Sequence, residues 1–479
     1  MNGAEELSLA GLLLALALPW ACGFLWVRRL LLPTGRYHLA LGLGLGYVSG
    51  IFATTVLLRL WDAVGIPLSF PALAALLAVL ALVAVLPRRG GASLPGPPVQ
   101  QPAARWERLV VALLLGLVLW RYLTMLEELL LRPLYAWDAW MNWTPKAIVW
   151  FHLGNLAEFV SPDRWMNQAA GDLYTLGNRR AWDYPITVPL IQLWSMLGAG
   201  TWDHGAVYLP WLLAPLCMGL GIYGHLRLAG VALVPATVAS YLVLSMPYVN
   251  VHSVLAGYAD IWLAAAFVFG VGALYEWQTT RDWRWGCVWL AMAALCAQLK
   301  VPGLFLGAIL AAAGLRGWLN LRPAAEAALV LGGLGVLVLA MALELSADVP
   351  YLGRVALGLD ELEVGRVGRF PLEIHPVGPA FAETFLVMVN WHLLGYLLPP
   401  FILLCLWRGA LWRAPGADVL AVLAGVAFVC GVFFFTGHYK QALNFVTLNR
   451  ALLYLVPAVV LCCFLRLPGR VHAPVSAPP

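Results

Sequence analysis

The chain has 479 residues, 62% of them hydrophobic and only 11% charged, with a mean hydropathy of +0.82. A soluble domain is about 45–50% apolar and about 25% charged, so a water-soluble globule is excluded and lipid is the solvent this composition requires. The formal net charge of +5 is modest; it reflects loop arginines and gives no reason to expect nucleic acid as a partner.

Backbone amides in lipid must be satisfied internally, which leaves helices or closed barrel strands as spans. The apolar runs here are rich in Leu, Ala and Val and far longer than the about 9–11 residues of a barrel strand. The expectation is an all-α integral membrane protein, a polytopic bundle of about thirteen transmembrane helices. Its N-terminal residues are acidic and lack the basic start of a cleaved signal, so the first apolar run is read as a retained span. Spans are expected near 8–27, 38–60, 69–87, 108–127, 206–226, 230–247, 259–277, 286–299, 302–315, 324–343, 384–407, 418–436 and 451–465.

Arginine clusters orient them, since short cytoplasmic loops collect positive charge. Arg28, Arg29 and Arg36 follow the first span, and Arg88, Arg89, Arg105 and Arg108 flank a Pro/Gly-rich linker over 87–105. Later clusters are His225/Arg227, Arg281/Arg284, Arg316/Arg322, Arg408/Arg413 and Arg466/Arg470. Placing these inside puts the N-terminus outside and the C-terminus inside, with outer segments at 129–205, 247–260, 344–383 and 437–450. The apolar piece 186–197 is too short for a comfortable span and is read as a juxtamembrane or re-entrant helix of the first outer loop. The eight cysteines lie in or beside apolar runs without metal-ligand spacing and read as small buried hydrophobes.

Polar and aromatic residues concentrate in the outer segments. In LYAWDAWMNWTPKAIVWF, residues 134–151, Trp137, Trp140, Trp143 and Trp150 recur at roughly helical spacing, as in an interfacial helix with its indoles at headgroup level or in a platform that stacks a sugar or guides an isoprenoid chain. Asp138 within it suits a helix cap, or a carboxylate that acts as a base or binds a cation, with Lys146 eight residues on. Trp182-Asp183-Tyr184-Pro185 reads as a helix start. His252, Tyr258 and Asp260 form a third group; Asp260 at the mouth of a span is either a cap or a functional carboxylate. Lys300, bracketed by two short helices, either snorkels to the surface or meets an anion such as phosphate. His438, Lys440 and Arg450 form a fifth, in which Arg450 opens the final span against the charge rule and suits phosphate or lipid headgroups. Segment 344–383 is dense in charge and reads as a solvated face, and Arg121 with Glu128, seven apart, reads as a structural pair. No P-loop, GxSxG, HExxH or dinucleotide fingerprint occurs in a plausible context.

The ordered set WDAWMNWTPKA (137–147), DYPITVPL (183–190), GYAD (257–260), LKVPGL (299–304) and NRALLYLVPA (449–458) resembles bacterial members of the GT-C superfamily, the polyprenyl-phosphate-dependent membrane glycosyltransferases, nearest to the protein-mannosyltransferase and aminoarabinose-transferase type. The likeness spans about 108–465, a GT-C-like catalytic module with juxtamembrane helices in its first large outer loop. It leaves 1–107 as an N-terminal three-helix membrane segment with a cytoplasmic linker, and 466–479 as a cytoplasmic tail. Many members carry the acidic loop after the first span; here it follows the fourth.

This resemblance implies inverting transfer of a sugar from a polyprenyl-phosphate donor to a hydroxyl of an acceptor glycan, lipid or protein. It also implies a multi-pass protein of the bacterial inner membrane, its active site facing the periplasm or exterior. Asp138 and Asp260 are the implied catalytic carboxylates, Asp138 the base. Trp137, Trp140, Lys146, Asp183, Tyr184, His252, Tyr258, Lys300, His438, Lys440 and Arg450 are implied to bind substrate, with Lys300 and Arg450 on the leaving phosphate. Some relatives use a divalent cation and others do not, so the metal stays open. The rival readings are a lipid-linked substrate transporter or flippase, which would show internal repeats or paired broken helices, and a non-catalytic envelope-assembly protein.

Overall fold

A computed structural model of the chain describes residues 6–87, 103–168, 171, 173–179, 181–319, 323–349, 353–365, 368–409 and 416–466. Four helices come first: α1 (Leu9–Leu31), α2 (Leu39–Ala63), α3 (Phe70–Val85) and α4 (Arg105–Leu131). A π-turn (Ala139–Trp143) leads into α5 (Thr144–Leu153), followed by α6 (Pro162–Met166) and α7 (Thr187–Ala199). Next are α8 (Leu209–Leu228), α9 (Leu233–Leu244), α10 (Pro247–Val254), α11 (Asp260–Thr280), α12 (Trp283–Leu299), α13 (Val301–Leu319) and α14 (Pro323–Ala342). The strands β1 (Ser346–Val349), β2 (Gly353–Leu357), β3 (Glu361–Val364) and β4 (Gly368–Pro371) form an antiparallel sheet in sequence order. The chain continues with α15 (Gly378–Leu386), α16 (Leu394–Trp407), α17 (Ala417–Phe435), α18 (Tyr439–Leu443) and α19 (Val446–Phe464). Most of the expected linker (88–102), the tail from 467, and Arg88, Arg89, Arg322, Arg413 and Arg470 lie outside the described residues.

Helices occupy all thirteen expected places, but among the described residues eight are long and apolar enough to cross a membrane: α1, α2, α4, α8, α11, α13, α17 and α19. The pair α9–α10, bent by 55°, makes a ninth if it is one span. This is a multi-pass helical membrane protein. The expected span 230–247 stops early because Pro247 removes a backbone donor and disfavours helix in the residue before it. The expected span 384–407 is divided by a 3-10 turn (Val389–Trp391) and a left-handed His392 at φ 48°.

α11 lies at the centre, packed against α8, α12, α13, α17 and α19 and buried along nearly its whole length. The first two helices belong to the same bundle, with α1 packing on α2 and α7 and α2 on α8. Their crossing depends on glycine: a Cβ on Gly50 would sit 1.8 Å from the Pro19 carbonyl oxygen, and one on Gly23 2.0 Å from that of Gly46. Small residues let membrane helices approach closely where no hydrophobic force drives them together.

Two ends of the bundle differ in charge. At one end Arg36 pairs with buried Glu276 of α11 at 2.5 Å, Arg466 with Asp418 at 2.9 Å, and Arg281 donates to the Gly317 carbonyl. The arginine clusters of alternate loops therefore converge, as the loop-charge reading expects. The chain's only lysines, Lys146, Lys300 and Lys440, belong to the opposite end, Lys146 in the first turn of α5, Lys300 just after α12 and Lys440 in α18.

α7, too short to span, is buried on nearly every side against α1, α2, α3 and α5, and the Trp194 indole donates to the Ala15 carbonyl at 2.7 Å. Segment 344–383 is not merely a solvated charge run. Apolar Val355, Leu357, Leu362, Val364 and Phe370 alternate with charged residues at the strand period of two, and Arg369 opposes Glu363 across the sheet at 3.2 Å. The all-α description holds for the membrane bundle and not for this sheet, which meets the bundle where His375 donates to the Phe434 carbonyl and stacks on Tyr439.

Gly50→Val overpacks the α1–α2 crossing, a change that typically costs about 1–3 kcal/mol. It should lower the midpoint of thermal unfolding in detergent. Gly116→Val, on open surface, should not. Equal midpoints for the two variants would contradict the close crossing.

Candidate functional site

Four segments far apart in sequence bring charged side chains together at the lysine-bearing end. Asp260 opens α11, where the helix N-terminus favours a carboxylate, and its side chain is 0% exposed. Lys300 sits in extended backbone between α12 and α13. That turn is tight: a Cβ on Gly303 would lie 1.9 Å from the Cys296 carbonyl oxygen. Arg450 lies in the second turn of α19, and Asp138 leads into the π-turn.

Arg450 joins them. Its Nη2 donates to Asp260 Oδ2 at 2.8 Å and to Asp138 Oδ2 at 2.5 Å, and its Nε donates to Asp260 Oδ1 at 3.2 Å. Lys300 Nζ donates to Asp260 Oδ1 at 3.1 Å, and the Tyr454 hydroxyl to the same oxygen at 2.5 Å. Two carboxylates thus face two cations, and their formal charges cancel. The guanidinium also lies over the Tyr258 ring, 4.9 Å from its centroid, and the Asp138 amide donates to the Tyr258 hydroxyl at 3.4 Å. Tyr258 is held by the Trp211 indole, which donates to its carbonyl at 2.7 Å. Gly257, at φ +89°, makes the approach possible: a Cβ there would meet that of Ala139 at 2.6 Å.

His252 stands at the edge of this group. Its Nδ1 is 3.1 Å from the Tyr248 carbonyl, its ring meets Tyr258 edge-on, and its buried Nε2 has no hydrogen-bond partner among the described residues. Trp137 and Trp140 are surface residues. They are 60% and 40% exposed, while Trp143 and Trp150 are core residues. Asp138 is covered by Arg450 and Tyr258, leaving its side chain 13% exposed.

Other candidates fall elsewhere. Lys146 is buried and donates to the carbonyls of Trp182 at 2.8 Å and Tyr184 at 3.2 Å, so it fastens the Trp182–Asp183–Tyr184 loop to α5. The Tyr184 ring packs on Trp143. His438 and Lys440 attend the sheet side: His438 packs on Phe370 and approaches Gln441, and Lys440 lies over Tyr439. The supposed Arg121–Glu128 pair is not formed. Glu128 reaches Arg132 four residues on, at 3.0 Å, because i,i+4 neighbours sit closer on a helix than i,i+7.

Sequence reasoning passed over Tyr454, although it stands four residues after Arg450 on the same helix face. It also passed over Arg59, whose Nη1 donates to Gln298 at 2.8 Å and Nη2 to the Thr187 hydroxyl at 2.5 Å. Among the described residues no group of three or more His, Cys, Asp or Glu side chains is placed to hold a metal ion. No family model, curated protein or solved structure matches the chain.

Removing one partner from a buried ion pair typically costs about 3–5 kcal/mol. Asp260→Ala should therefore destabilise the protein by that order in a denaturation series, and Asp138→Ala, at the exposed side of the cluster, by clearly less. Equal and small effects would contradict the buried network.

Lys146 gives a pH signature. Burial pushes its ammonium down to about 8, against the pull of Asp183. An unfolded lysine titrates at about 10.4, so between these values the unfolded chain binds more protons and the contribution of Lys146 to stability rises with pH. The stability difference between wild type and Lys146→Met should shift in favour of wild type from pH 8 to pH 10. A flat difference would show that Lys146 is not desolvated.

Proposed function

We propose that the protein is a membrane glycosyltransferase that moves a sugar from a polyprenyl-phosphate donor to an acceptor hydroxyl, with inversion, on the non-cytoplasmic side of a bacterial inner membrane. The observation that carries this reading is the convergence of Asp138, Asp260, Lys300 and Arg450 on one end of the bundle. Transfer from a lipid phosphate needs cations where the leaving phosphate gains charge and a carboxylate where the acceptor hydroxyl loses its proton. Acceptors that fit are a glycan, lipid or protein hydroxyl. The residues present leave a divalent cation optional, because Lys300 and Arg450 supply positive charge themselves.

The resting geometry sets an order of events. At rest the Asp138 carboxylate is engaged by Arg450 at 2.5 Å and is not open to an acceptor hydroxyl. An arriving phosphate competes for the same guanidinium, which binds phosphate oxygens in a bidentate fork. As Arg450 and Lys300 turn to the phosphate, Asp138 loses its partner and is open to the acceptor hydroxyl. Asp260, held also by Tyr454, keeps the cations in place. Tyr258 and His252 line the acceptor side, and the exposed Trp137 and Trp140 offer faces for a sugar or prenyl chain.

The second reading is a transporter of a lipid-linked substrate. The bent pair α9–α10 favours it, since discontinuous helices mark transporter binding sites. One assay separates the two. Purified protein is incubated with candidate polyprenyl-phosphate sugars and release of the free lipid phosphate is measured. The glycosyltransferase reading expects release, lowered about 10²–10⁴-fold by Asp138→Asn with donor binding retained. Binding without release for every donor and acceptor supplied would favour transport. If Asp138→Asn turns over normally while Asp260→Asn is dead, the base is Asp260.

A further inference from the structure

α4 is the least covered of the eight long apolar helices: 11% of its apolar window is buried, against 33% or more for the others. Leu117, Trp120 and Leu123 are exposed on it, and in a membrane they face lipid. Arg121 stands in this surface and is itself exposed. Counted at the helical rise, it lies about 24 Å from Arg105 and about 15 Å from Leu131, within the hydrocarbon from either side of a core about 30 Å thick. A charge at that depth is costly unless a partner meets it.

The protein supplies only a neutral partner. With its amide oriented so that both atoms are satisfied, Asn250 accepts from Arg121 Nε at 3.2 Å and donates to the Leu244 carbonyl at 2.9 Å, freed where α9 breaks into α10. Glu128 is engaged by Arg132. Among the described residues no carboxylate lies within 4 Å of the Arg121 guanidinium, whose two terminal amino groups have no hydrogen-bond partner.

Arg121 faces a cleft of about 330 Å³ between α4 and α10. Arg121, Thr124, Tyr135 and Asn250 make it polar, Glu128 lines it too but is neutralised by Arg132, and Met125, Val254 and Leu255 are apolar walls. Its volume of about 330 Å³ suits a headgroup with its first methylenes.

We propose that this cleft binds the phosphate of a membrane lipid, held by the free fork of Arg121, with its hydrocarbon chain along the exposed residues of α4. Guanidinium and phosphate match bidentately, and basic recesses between membrane helices take anionic headgroups. The site is separate from Lys300 and Arg450, on the other flank of α10, and does not depend on the glycosyltransferase reading.

The test is native mass spectrometry of the full-length protein in detergent, titrated with phosphatidic acid and with a diacylglycerol of the same chains. Wild type should retain phosphatidic acid and release diacylglycerol. Arg121→Gln should weaken retention of phosphatidic acid about tenfold, while Arg105→Gln, at the exposed start of the same helix, should leave it unchanged. Thr124→Trp, which fills the cleft and keeps the arginine, should also abolish retention and stands if the arginine variant fails to fold. Equal retention by wild type and Thr124→Trp would overturn the proposal. So would a second polypeptide bound in fixed ratio to wild type and lost from Arg121→Gln.

Discussion

A single buried guanidinium, that of Arg450, connects α19 to the start of α11 and to the turn before α5. Its hydrogen bonds to Asp260 and Asp138 close a charge-balanced group that none of these segments could bury alone. A buried charge without a partner is expensive, and a network is tolerated only when its members satisfy one another. Here each carboxylate has a cation, and Asp260 has two cations and a tyrosine hydroxyl. The constraint explains local features that otherwise look unrelated: the positive φ of Gly257, the tight turn at Gly303 and the clamp of Trp211 on Tyr258. Each brings backbone close enough for short side chains to meet.

The same balance bears on how such a site works. A group with no net charge is stable at rest and presents no free cation to passing anions. In the proposed reaction a phosphate that enters displaces a carboxylate, so that ligand binding and release of Asp138 would be one event. The opposite end of α11 carries a second buried group, Glu276 with Arg36, which fixes the arginine-rich end to the central helix. α11 is thus pinned by ions at both ends, and its burial along most of its length follows from that placement.

Much of the membrane bundle was legible because a long apolar run has one outcome in lipid. Asp138, Asp260, Lys300 and Arg450 were legible for a related reason: each is a charge where loop patterning leaves it unexplained. What escaped was local geometry. The π-turn at 139–143 shifts the helical register, so Lys146, eight residues after Asp138, turns inward to the Trp182 and Tyr184 carbonyls rather than toward the carboxylate. Around the same turn Trp143 enters the core while Trp137 and Trp140 stay exposed. Mutual pairing of Arg450 and Lys300 with Asp260 was hidden because sequence separations of 190 and 40 residues carry no distance information. The strands at 346–371 were visible as a period of two, but dense charge masked it.

The most direct measurement is an experimental structure of the protein with a polyprenyl phosphate bound, refined far enough to place the guanidinium of Arg450. The expected result is a phosphate contacted by Arg450 and Lys300, with Asp138 released from Arg450 and open to an acceptor. A phosphate bound elsewhere, with Arg450 still joining Asp138 to Asp260, would contradict the exchange of partners on which the proposed chemistry rests.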